Sequence, residues 1–223
     1  MTNVIVSAKP WHAAMAKNMQ LFCGGEWVQI TTKEGFTPES LARIKPDYVF
    51  IPHWSHLIPP EIYENYKCVI FHMTDLPYGR GGSPLQNLIA RGHLTTKISA
   101  IQCSDGIDNG PLFLKAPLNL EGTARQIFER SAAIIQNMIY SIITLNPKPV
   151  PQEGPPVIFR RRKKTESNID TVDNLDELYN LIRMLDCDGY PLAYLNNNNF
   201  TFEFTDATHQ GEFITASVKV AMK

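Results

Sequence analysis

The sequence predicts an α/β protein: a Rossmann-like, mostly parallel sheet with helices on both faces, followed by a small C-terminal α+β subdomain. Short apolar runs alternate with helical patterns over residues 1–145, as in a parallel sheet covered by helices. The chain has 223 residues, enough for one such domain of about 150 residues and an appendage. A proline-rich segment, residues 146–156, then interrupts the pattern and is predicted to be a linker.

The first domain, residues 1–145, divides into alternating elements. Each predicted strand is a short apolar run with β-branched or aromatic residues, and these runs are residues 4–7, 27–30, 48–51, 67–71, 97–102 and 112–116. Helices are predicted between them from the periodicity of apolar residues, to about residue 18, at 38–43, from Pro84 onward and at 123–145. The loops after the fourth and fifth strands, residues 74–82 and 104–110, are rich in Gly, Pro and Asp.

The C-terminal subdomain, residues 157–223, begins with the basic segment 159–164. A helix is predicted at 175–186 and a hairpin with its turn at 196–199. Its aromatic residues exceed what so short a domain buries alone. Two alternatives follow, packing against the first domain or a homodimer contact, and the residues concerned are Tyr194, Phe200, Phe202 and Phe213.

Charge and cysteine usage exclude several classes of function. The formal net charge is -1, which predicts neither a nucleic-acid partner nor binding to an anionic membrane. The four cysteines lie far apart, so they are expected to be reduced thiols and not metal ligands. The N-terminal segment lacks the basic start and the long apolar run of a secretory signal, which predicts a cytoplasmic protein.

Two titratable residues follow neighbouring strands of the predicted sheet. His72 ends one strand, and Asp108 lies in the loop after the next. In an open α/β sheet, loops at the carboxyl ends of the strands form the ligand site. A histidine paired with a carboxylate can move a proton, since the carboxylate orients the ring and stabilises its charged form. Spacing alone is equally consistent with two unrelated loop residues.

The loop that begins at His72 resembles the formyltransferase family. The family's catalytic loop has the form Asn-x-His-Pro-Ser-Leu-Leu-Pro, then Arg-Gly and a later Pro. Six residues of this chain match that loop in register, namely His72, Leu76, Pro77, Arg80, Gly81 and Pro84. The segment 104–110 is similar to the family's second motif, with Asp108 and Gly110 at its Asp-x-Gly. The resemblance covers most of residues 1–145.

The resemblance implies transfer of a formyl group from 10-formyltetrahydrofolate to an amine, without a metal. His72 is expected to position the reacting groups and assist proton transfer, and Asp108 to hold His72. The segment 46–59 looks like the part of the family that lines the folate pocket. The residues expected at the folate are Ile51, Pro52, Trp54, Gly106, Ile107 and Gly110.

Two C-terminal segments, residues 159–167 and 181–194, resemble formyltransferases that act on nucleotide-linked amino sugars. The expected acceptor is therefore a 4-amino-4,6-dideoxyhexose on a nucleotide, in glycan biosynthesis that includes the pseudaminic acid pathway, and a tRNA acceptor is not expected. Lys9 and Trp11 are expected to meet a phosphate and a base, with Arg80 and Gly81 nearer the reacting centre. The alternatives are a solvated Lys9 and a Trp11 that anchors a helix in the core.

The chain departs from the family pattern two residues before His72, where Ile70 replaces the usual Asn. An Asn amide there is understood to stabilise the formyl oxygen, and losing one such donor costs about 10²- to 10³-fold in rate. Asn87, one turn into the following helix, is one candidate replacement, and the neighbouring backbone amides and water are the others. The departure leaves two alternatives open: a folate-binding protein without turnover, and a hydrolase that releases formate from the carrier.

A further pair of histidines, His53 and His56, has a spacing that could bind a metal ion. No third ligand lies within reach in the sequence. The pair is therefore interpreted as lining a pocket, and no metal site is predicted.

Overall fold

The computed structural model describes residues 1–223 and confirms the α/β class. The strands are β1 Thr2–Val6, β2 Glu26–Ile30, β3 Tyr48–Ile51, β4 Cys68–His72, β5 Tyr78–Gly81, β6 Thr95–Gln102, β7 Leu112–Asn119, β8 Val157–Phe159, β9 Ala193–Asn196, β10 Phe200–His209 and β11 Ile214–Met222. The helices are α1 Met15–Cys23, α2 Pro38–Ile44, α3 Pro60–Tyr63, α4 Pro84–Ala90, α5 Ala124–Leu145 and α6 Leu175–Arg183.

The central sheet has six strands in the order β2-β1-β3-β4-β6-β7. The first four run parallel to one another. The middle strands carry continuous runs of apolar residues because both faces of a parallel sheet are normally covered. Val4, Ile5, Val49 and Phe50 are accordingly fully buried. The predicted mostly parallel sheet is confirmed.

Strand β6 breaks the parallel arrangement, because it pairs with β4 in the antiparallel direction. Val69 lies opposite Gln102, and His72 lies opposite Ser99. The carboxyl end of β6 therefore lies beside the start of β4, not beside its end. Hydrophobic periodicity identifies a strand but says nothing of its direction, so the sequence did not predict this reversal.

Local signals explain where the helices begin. Pro38 opens α2, and the Thr37 hydroxyl accepts a hydrogen bond from the Ser40 amide. Asn174 caps α6 in the same way, by accepting from the Glu177 amide. The prediction that Pro84 opens a helix is confirmed. Helix α6 ends at Arg183, three residues before its predicted end. None of the helices combines the length and the apolar content needed to cross a bilayer.

Contacts between Cα atoms divide the chain into two compact units, each of which combines several stretches of sequence. The first unit comprises residues 1–81, 97–118 and 129–158, and the second comprises 82–96, 119–128 and 159–223. The proline-rich segment 146–156 belongs to the first unit. The contiguous division into 1–145, 146–156 and 157–223 stays a prediction.

The second unit contains a three-stranded antiparallel sheet in the order β11-β10-β9. The predicted turn is present between β9 and β10, where the Asn197 side chain accepts hydrogen bonds from the amides of Asn199 and Phe200. Strand β11 extends the predicted hairpin by a third strand. Helix α6 packs against β10 within this unit.

Candidate functional site

The carboxyl ends of three parallel strands, β1, β3 and β4, meet at one edge of the central sheet. His72 is the last residue of β4 and is buried, with 7% of its surface exposed. Two hydrogen bonds of Ser99 hold the loop that follows: its hydroxyl donates to the Thr74 carbonyl (2.7 Å) and accepts from the Leu76 amide (3.2 Å). The imidazole of His72 is thus fixed by its strand and by this loop.

Both ring nitrogens of His72 face an oxygen atom. Nδ1 lies 3.4 Å from Oδ2 of Asp108, and Nε2 lies 2.7 Å from the Gly79 carbonyl oxygen. A neutral imidazole carries one N–H and can donate to only one of these acceptors. The ring is held at both nitrogens, by the Asp108 carboxylate on one side and by the Gly79 carbonyl oxygen on the other.

Asp108 is fixed at its side chain as well as through the backbone of its loop. The Gly81 amide donates to Oδ2 of Asp108 at 2.9 Å. The backbone of Asp108 has a φ of 49°, in the left-handed region that non-glycine residues rarely adopt. Such a conformation persists where the surrounding structure enforces it. The structure thus brings together the two residues that the sequence placed at the reacting centre.

The route by which Asp108 reaches His72 differs from the predicted one. The sequence argument assumed that the carboxyl ends of both strands lie at the same edge of the sheet. Since β6 is antiparallel to β4, its carboxyl end lies at the opposite edge, and the loop 104–110 must carry Asp108 back. The contact was predicted, but the reason given for it was wrong.

Gln152 was missed by the sequence analysis, which assigned its segment to a linker. Its side-chain amide donates to the carbonyl oxygens of Asp108 (2.8 Å) and Gly110 (2.9 Å). Its carbonyl oxygen accepts from Nε (3.1 Å) and Nη2 (2.8 Å) of Arg80. Arg80 and Gly81 lie on β5, so this one side chain connects β5 with the loop of Asp108.

A second polar cluster follows β1 at the same edge and contains the predicted Lys9 and Trp11. The Lys9 ammonium lies 5.5 Å from the centre of the Trp11 ring, and that ring lies 5.7 Å from the ring of His53. Both Lys9 and Trp11 are half-buried. The structure thus places Lys9, Trp11 and His53 together in one cluster.

His12, which the sequence did not single out, is the most buried residue of this cluster, with 1% of its surface exposed. Its Nδ1 lies 2.9 Å from the Ser7 hydroxyl, and its Nε2 has no hydrogen-bond partner. Burial, and secondarily the charge of Lys9, lowers the pKa of His12 to about 3. Burial, Lys9 and His12 lower the pKa of His53 to about 3 as well. Both rings are therefore neutral near pH 7.

The residues expected at the folate have different environments. Ile107 exposes 65% of its surface beside Asp108, and Trp54 is half-buried against Phe36. The side chain of Ile51, in contrast, is 1% exposed and belongs to the apolar core, so it offers no surface to a ligand. That part of the prediction is corrected.

The remaining folate candidates are shaped by backbone packing. Pro52 is buried beside Ile51, and Gly106 is exposed with a φ of 88°. A Cβ atom at Gly110 would overlap the carbonyl oxygen of Gln102, so the glycine is needed for the loop to close on β6. The need for Gly110 is thus explained without a ligand.

The side chain of Asn87, a candidate replacement for the family's Asn, is fully used in hydrogen bonds to other groups. Its Nδ2 donates to the carbonyl oxygens of Gly82 (3.0 Å), Ser83 (3.0 Å) and Arg160 (2.9 Å). Its Oδ1 accepts from Arg91. This use of its donors and acceptor disfavours Asn87 as the missing amide, and the role expected of it stays a prediction.

The position of the family's Asn is filled by an apolar side chain. Ile70 packs against the buried cluster of the sheet and cannot donate a hydrogen bond from its side chain. The nearby histidines do not form a metal site either. No group of three or more His, Cys, Asp or Glu side chains is positioned to hold a metal ion.

Two family models match the chain. One, described as "Formyl transferase", matches residues 12–140. The other, described as "Methionyl-tRNA formyltransferase, C-terminal domain", matches residues 164–221. The first match covers more than half of the chain and includes His72 and Asp108.

Several proteins similar to this chain are named methionyl-tRNA formyltransferase. A solved structure titled methionyl-tRNA formyltransferase from Clostridium thermocellum is 44% identical, with a TM-score of 0.96, and the match covers 100% of both chains. The methionyl-tRNA formyltransferase of Campylobacter lari is 27% identical over 66% of this chain and 52% of its own length. The chain thus spans about half the length of the curated relatives that it matches.

More distant structures share the fold alone. HypX from Aquifex aeolicus, solved with tetrahydrofolic acid, is 16% identical with a TM-score of 0.73, over 92% of this chain and 37% of its own. A structure described as a likely sugar N-formyltransferase from Mycobacterium tuberculosis is 18% identical with a TM-score of 0.70, over 88% of this chain and 92% of its own.

The expected nucleotide-sugar acceptor is therefore wrong. The sugar enzyme shares little sequence with this chain, whereas the 44% identical structure and the curated relatives are named for methionyl-tRNA. The predicted absence of a nucleic-acid partner rested on net charge, and it is overturned by the same similarity. Net charge averages over the whole chain and conceals the exposed basic residues Arg160, Arg161, Lys163 and Lys164.

Proposed function

The chain belongs to the formyl transferase family, and we propose that it transfers the formyl group of 10-formyltetrahydrofolate to the amino group of methionine esterified to a tRNA. The observation that carries this proposal is the 44% identity, over the full length, with a structure titled methionyl-tRNA formyltransferase. The match of residues 164–221 to the C-terminal domain of that enzyme supports the same acceptor. A function in translation implies work in the cytoplasm.

The residues around Asp108 fit the folate carrier. The carrier supplies an activated formyl group on a ring system that has an apolar body and polar edges. Exposed Ile107 and half-buried Trp54 offer apolar contact surface of the kind that lines ligand pockets. Tetrahydrofolic acid is bound by HypX, which shares the fold. Ile107, Trp54 and the backbone of the loop 104–110 would hold the carrier.

The chemistry follows from the His72–Asp108 pair. The amino nitrogen of the acceptor forms a bond to the formyl carbon, the bond from that carbon to the carrier nitrogen breaks, and the proton lost by the amine passes to the carrier nitrogen. His72 is buried and contacts the half-buried Asp108, so the pair can carry that proton between the two nitrogens without reorganising. Holding the reactants in place, together with this proton transfer, supplies the catalysis.

The acceptor has phosphates, a base and an aminoacyl group. Lys9, Trp11 and Arg80, first assigned to a nucleotide sugar, suit the phosphate and base of a terminal nucleotide equally well. The Gly81 amide, next to Arg80 in the chain, holds the Asp108 carboxylate. In the second unit, the basic run 160–164 exposes four cationic side chains for contacts with RNA phosphates. These contacts remain proposals.

Formyl transfer from 10-formyltetrahydrofolate to initiator tRNA charged with radiolabelled methionine tests the proposal. His72→Ala is expected to reduce the rate about 10²- to 10⁴-fold, the usual contribution of a proton-transferring side chain. His209→Ala is the matched control. Its Nδ1 lies 3.4 Å from Asp176, the distance found in the His72–Asp108 pair, but it belongs to the other unit. Wild-type rates are expected for this variant.

Three results would count against the proposal. If the wild-type protein bound folate but left charged tRNA unmodified, charged tRNA would not be the acceptor. Release of formate at the same rate with and without tRNA would assign the site to hydrolysis. Equal losses in His72→Ala and His209→Ala would remove His72 from the reacting centre.

A further inference from the structure

The Gln152 amide makes all the hydrogen bonds that it can. Its two N–H groups donate to the carbonyl oxygens of Asp108 and Gly110, and its oxygen accepts twice from Arg80. A glutamine side chain has two donor hydrogens and two acceptor lone pairs, so no capacity is left over. Because every donor and acceptor of this half-buried side chain is engaged, the Gln152 amide is held in one orientation.

These bonds are part of a hydrogen-bond network around Asp108. Gln152 holds the Asp108 carbonyl, and the Gly81 amide holds the Asp108 carboxylate. Gly81 follows Arg80 on β5, and the Arg80 guanidinium donates a hydrogen bond to Gln152. Asp108 is therefore held from its backbone and from its side chain by two groups that are linked to each other.

The partner that holds Arg80 is uncharged. Gln152 accepts two hydrogen bonds from the guanidinium but does not neutralise it, and Arg80 forms no salt bridge. A glutamate of the same length would accept the same two bonds and cancel the charge. It would also turn its second oxygen, in place of Nε2, toward the carbonyl oxygens of Asp108 and Gly110, where Gln152 now donates.

We infer that Gln152 is a positioning residue of the transfer reaction, which sets Asp108 against His72 and orients Arg80 as an uncompensated cation beside them. Gln152 itself touches none of the reacting atoms. Arg80 so held is suited to an oxyanion, either a phosphate of the acceptor or a carboxylate of the folate. The kinetic part of the inference rests on the proposed function.

The experiment compares Gln152→Leu and Gln152→Glu with the matched control Gln136→Leu. Gln136 is also half-buried in the first unit, and its one hydrogen bond, from Asn18, joins α5 to α1. Both Gln152 variants are expected to lose about 10²-fold in kcat, the effect of a small misplacement in a catalytic site. The control is expected to keep its kcat.

The glutamate variant separates positioning from simple tethering. The carboxylate introduced by Gln152→Glu would retain both bonds from Arg80, so a role limited to tethering Arg80 predicts wild-type kcat for this variant. That result would overturn the inference, as would wild-type kcat in Gln152→Leu. Gln152→Glu has the same shape and keeps its bonds from Arg80, so a single cooperative unfolding transition is expected for it, and this keeps the test decisive if the leucine variant unfolds.

The source of the oxyanion is identified by the Michaelis constants. A KM that rises for charged tRNA alone in Gln152→Glu assigns Arg80 to a phosphate, and one that rises for the folate alone assigns it to a carboxylate. Unchanged KM values for both would overturn the role given to Arg80.

A readout independent of any acceptor keeps the inference separate from the proposed function. The Nε–H resonance of Arg80, assigned with Arg80→Lys, is expected to be protected from exchange in the wild type and in Gln136→Leu. It is expected to lose protection in Gln152→Leu. If charged tRNA is not formylated, this signal alone decides, and an unprotected Arg80 Nε–H in the wild type would overturn the inference.

Discussion

Asn87 illustrates how a single buried side chain can be committed to structure. Its amide nitrogen bonds three carbonyl oxygens, two at the start of α4 and one at Arg160, which connects separate stretches of the second unit. Removing this side chain would take the Asn87 donor from the carbonyls of Gly82 and Arg160, while the Ser83 carbonyl would keep its bond from the Asn87 backbone amide. The cost falls on stability, because no reacting group is involved.

Asn87→Ala is accordingly expected to lower the free energy of unfolding by about 2–3 kcal/mol, since several hydrogen bonds in a buried site are lost together. Formyl transfer at 25 °C is expected to keep its kcat. Urea unfolding followed by circular dichroism, together with the tRNA assay, measures the two effects. A fall in kcat with unchanged stability would restore a catalytic role to Asn87.

The neutral His12 makes stability dependent on pH. Its pKa is about 3 in the folded protein and near 6.5 in the unfolded chain, so between these values the unfolded chain binds more protons. Stability is therefore fully present above pH 6.5 and is lost as the pH falls. At pH 5 the loss from His12 is about 2 kcal/mol, and partly exposed His53 adds a smaller amount.

Urea unfolding at pH 7.5 and pH 5 checks this dependence in the wild type, His12→Gln and the exposed control His56→Gln. A shallower dependence on pH is expected for His12→Gln and an unchanged one for His56→Gln. If His12→Gln and the wild type lost the same stability between the two pH values, the buried neutral His12 would not be the cause.

At the scale of elements, the direction of β6 determines how the site is built. A parallel β6 would deliver Asp108 at the edge where His72 already lies. The observed antiparallel strand ends at the other edge, so the loop 104–110 must first turn and then return. Gly110 permits this turn, since any side chain there would meet the Gln102 carbonyl.

Gly110→Ala is therefore expected to displace the loop and to reduce formyl transfer about 10²-fold through the misplaced Asp108. Gly35→Ala is the control. Its Cβ would meet the Thr32 hydroxyl at 3.2 Å, a flexible side chain in another loop. Steady-state kinetics of both variants, with melting temperatures, measures the effect. Wild-type kcat in Gly110→Ala would show that the loop tolerates the added methyl group.

The elements show what periodicity and local signals can predict. Strands β1, β3 and β4 and helix α5 were found because each buries one continuous apolar pattern. The direction of β6 was not predicted, because it depends on pairing between distant parts of the chain. The third strand of the C-terminal sheet was missed for a similar reason.

At the scale of the whole molecule, the distribution of charge matters more than its sum. A net charge of -1 predicts weak attraction to RNA. The run 160–164, in contrast, concentrates exposed cations in one stretch, with Arg160 paired to Glu166 and Lys163 and Lys164 in no salt bridge. Local cations of this kind bind phosphates and release counterions.

The double substitution Lys163→Ala/Lys164→Ala is expected to weaken binding of charged tRNA and to lower the slope of log affinity against log salt by about 1–2. The folate affinity is expected to stay unchanged. Filter binding at salt concentrations from about 50 to 200 mM measures the slope. Lys33→Ala is the exposed control. An unchanged slope in the double variant would remove this segment from the RNA contact.

At the candidate site, the residues that belong to a local sequence motif were predicted, and the residues placed by contacts between distant segments were not. His72 and Asp108 were predicted because a local motif marks them in the sequence. Gln152 and His12 carry no such mark, and their roles arise only from contacts between distant segments. The acceptor was mispredicted because it was inferred from two short C-terminal segments. The structure that is similar over the full chain is named for methionyl-tRNA instead.

The contact between Gln152 and the Asp108 loop also bears on when the site forms during synthesis. Domains generally fold as the chain leaves the ribosome, N-terminal segments first. A nascent chain ending at residue 145 already contains His72, Arg80 and Asp108 but lacks the side chain that joins β5 to the loop. The loop of Asp108 is therefore expected to be fixed beside β5 only after residue 152 has emerged, and a fragment 1–145 would lack this connection.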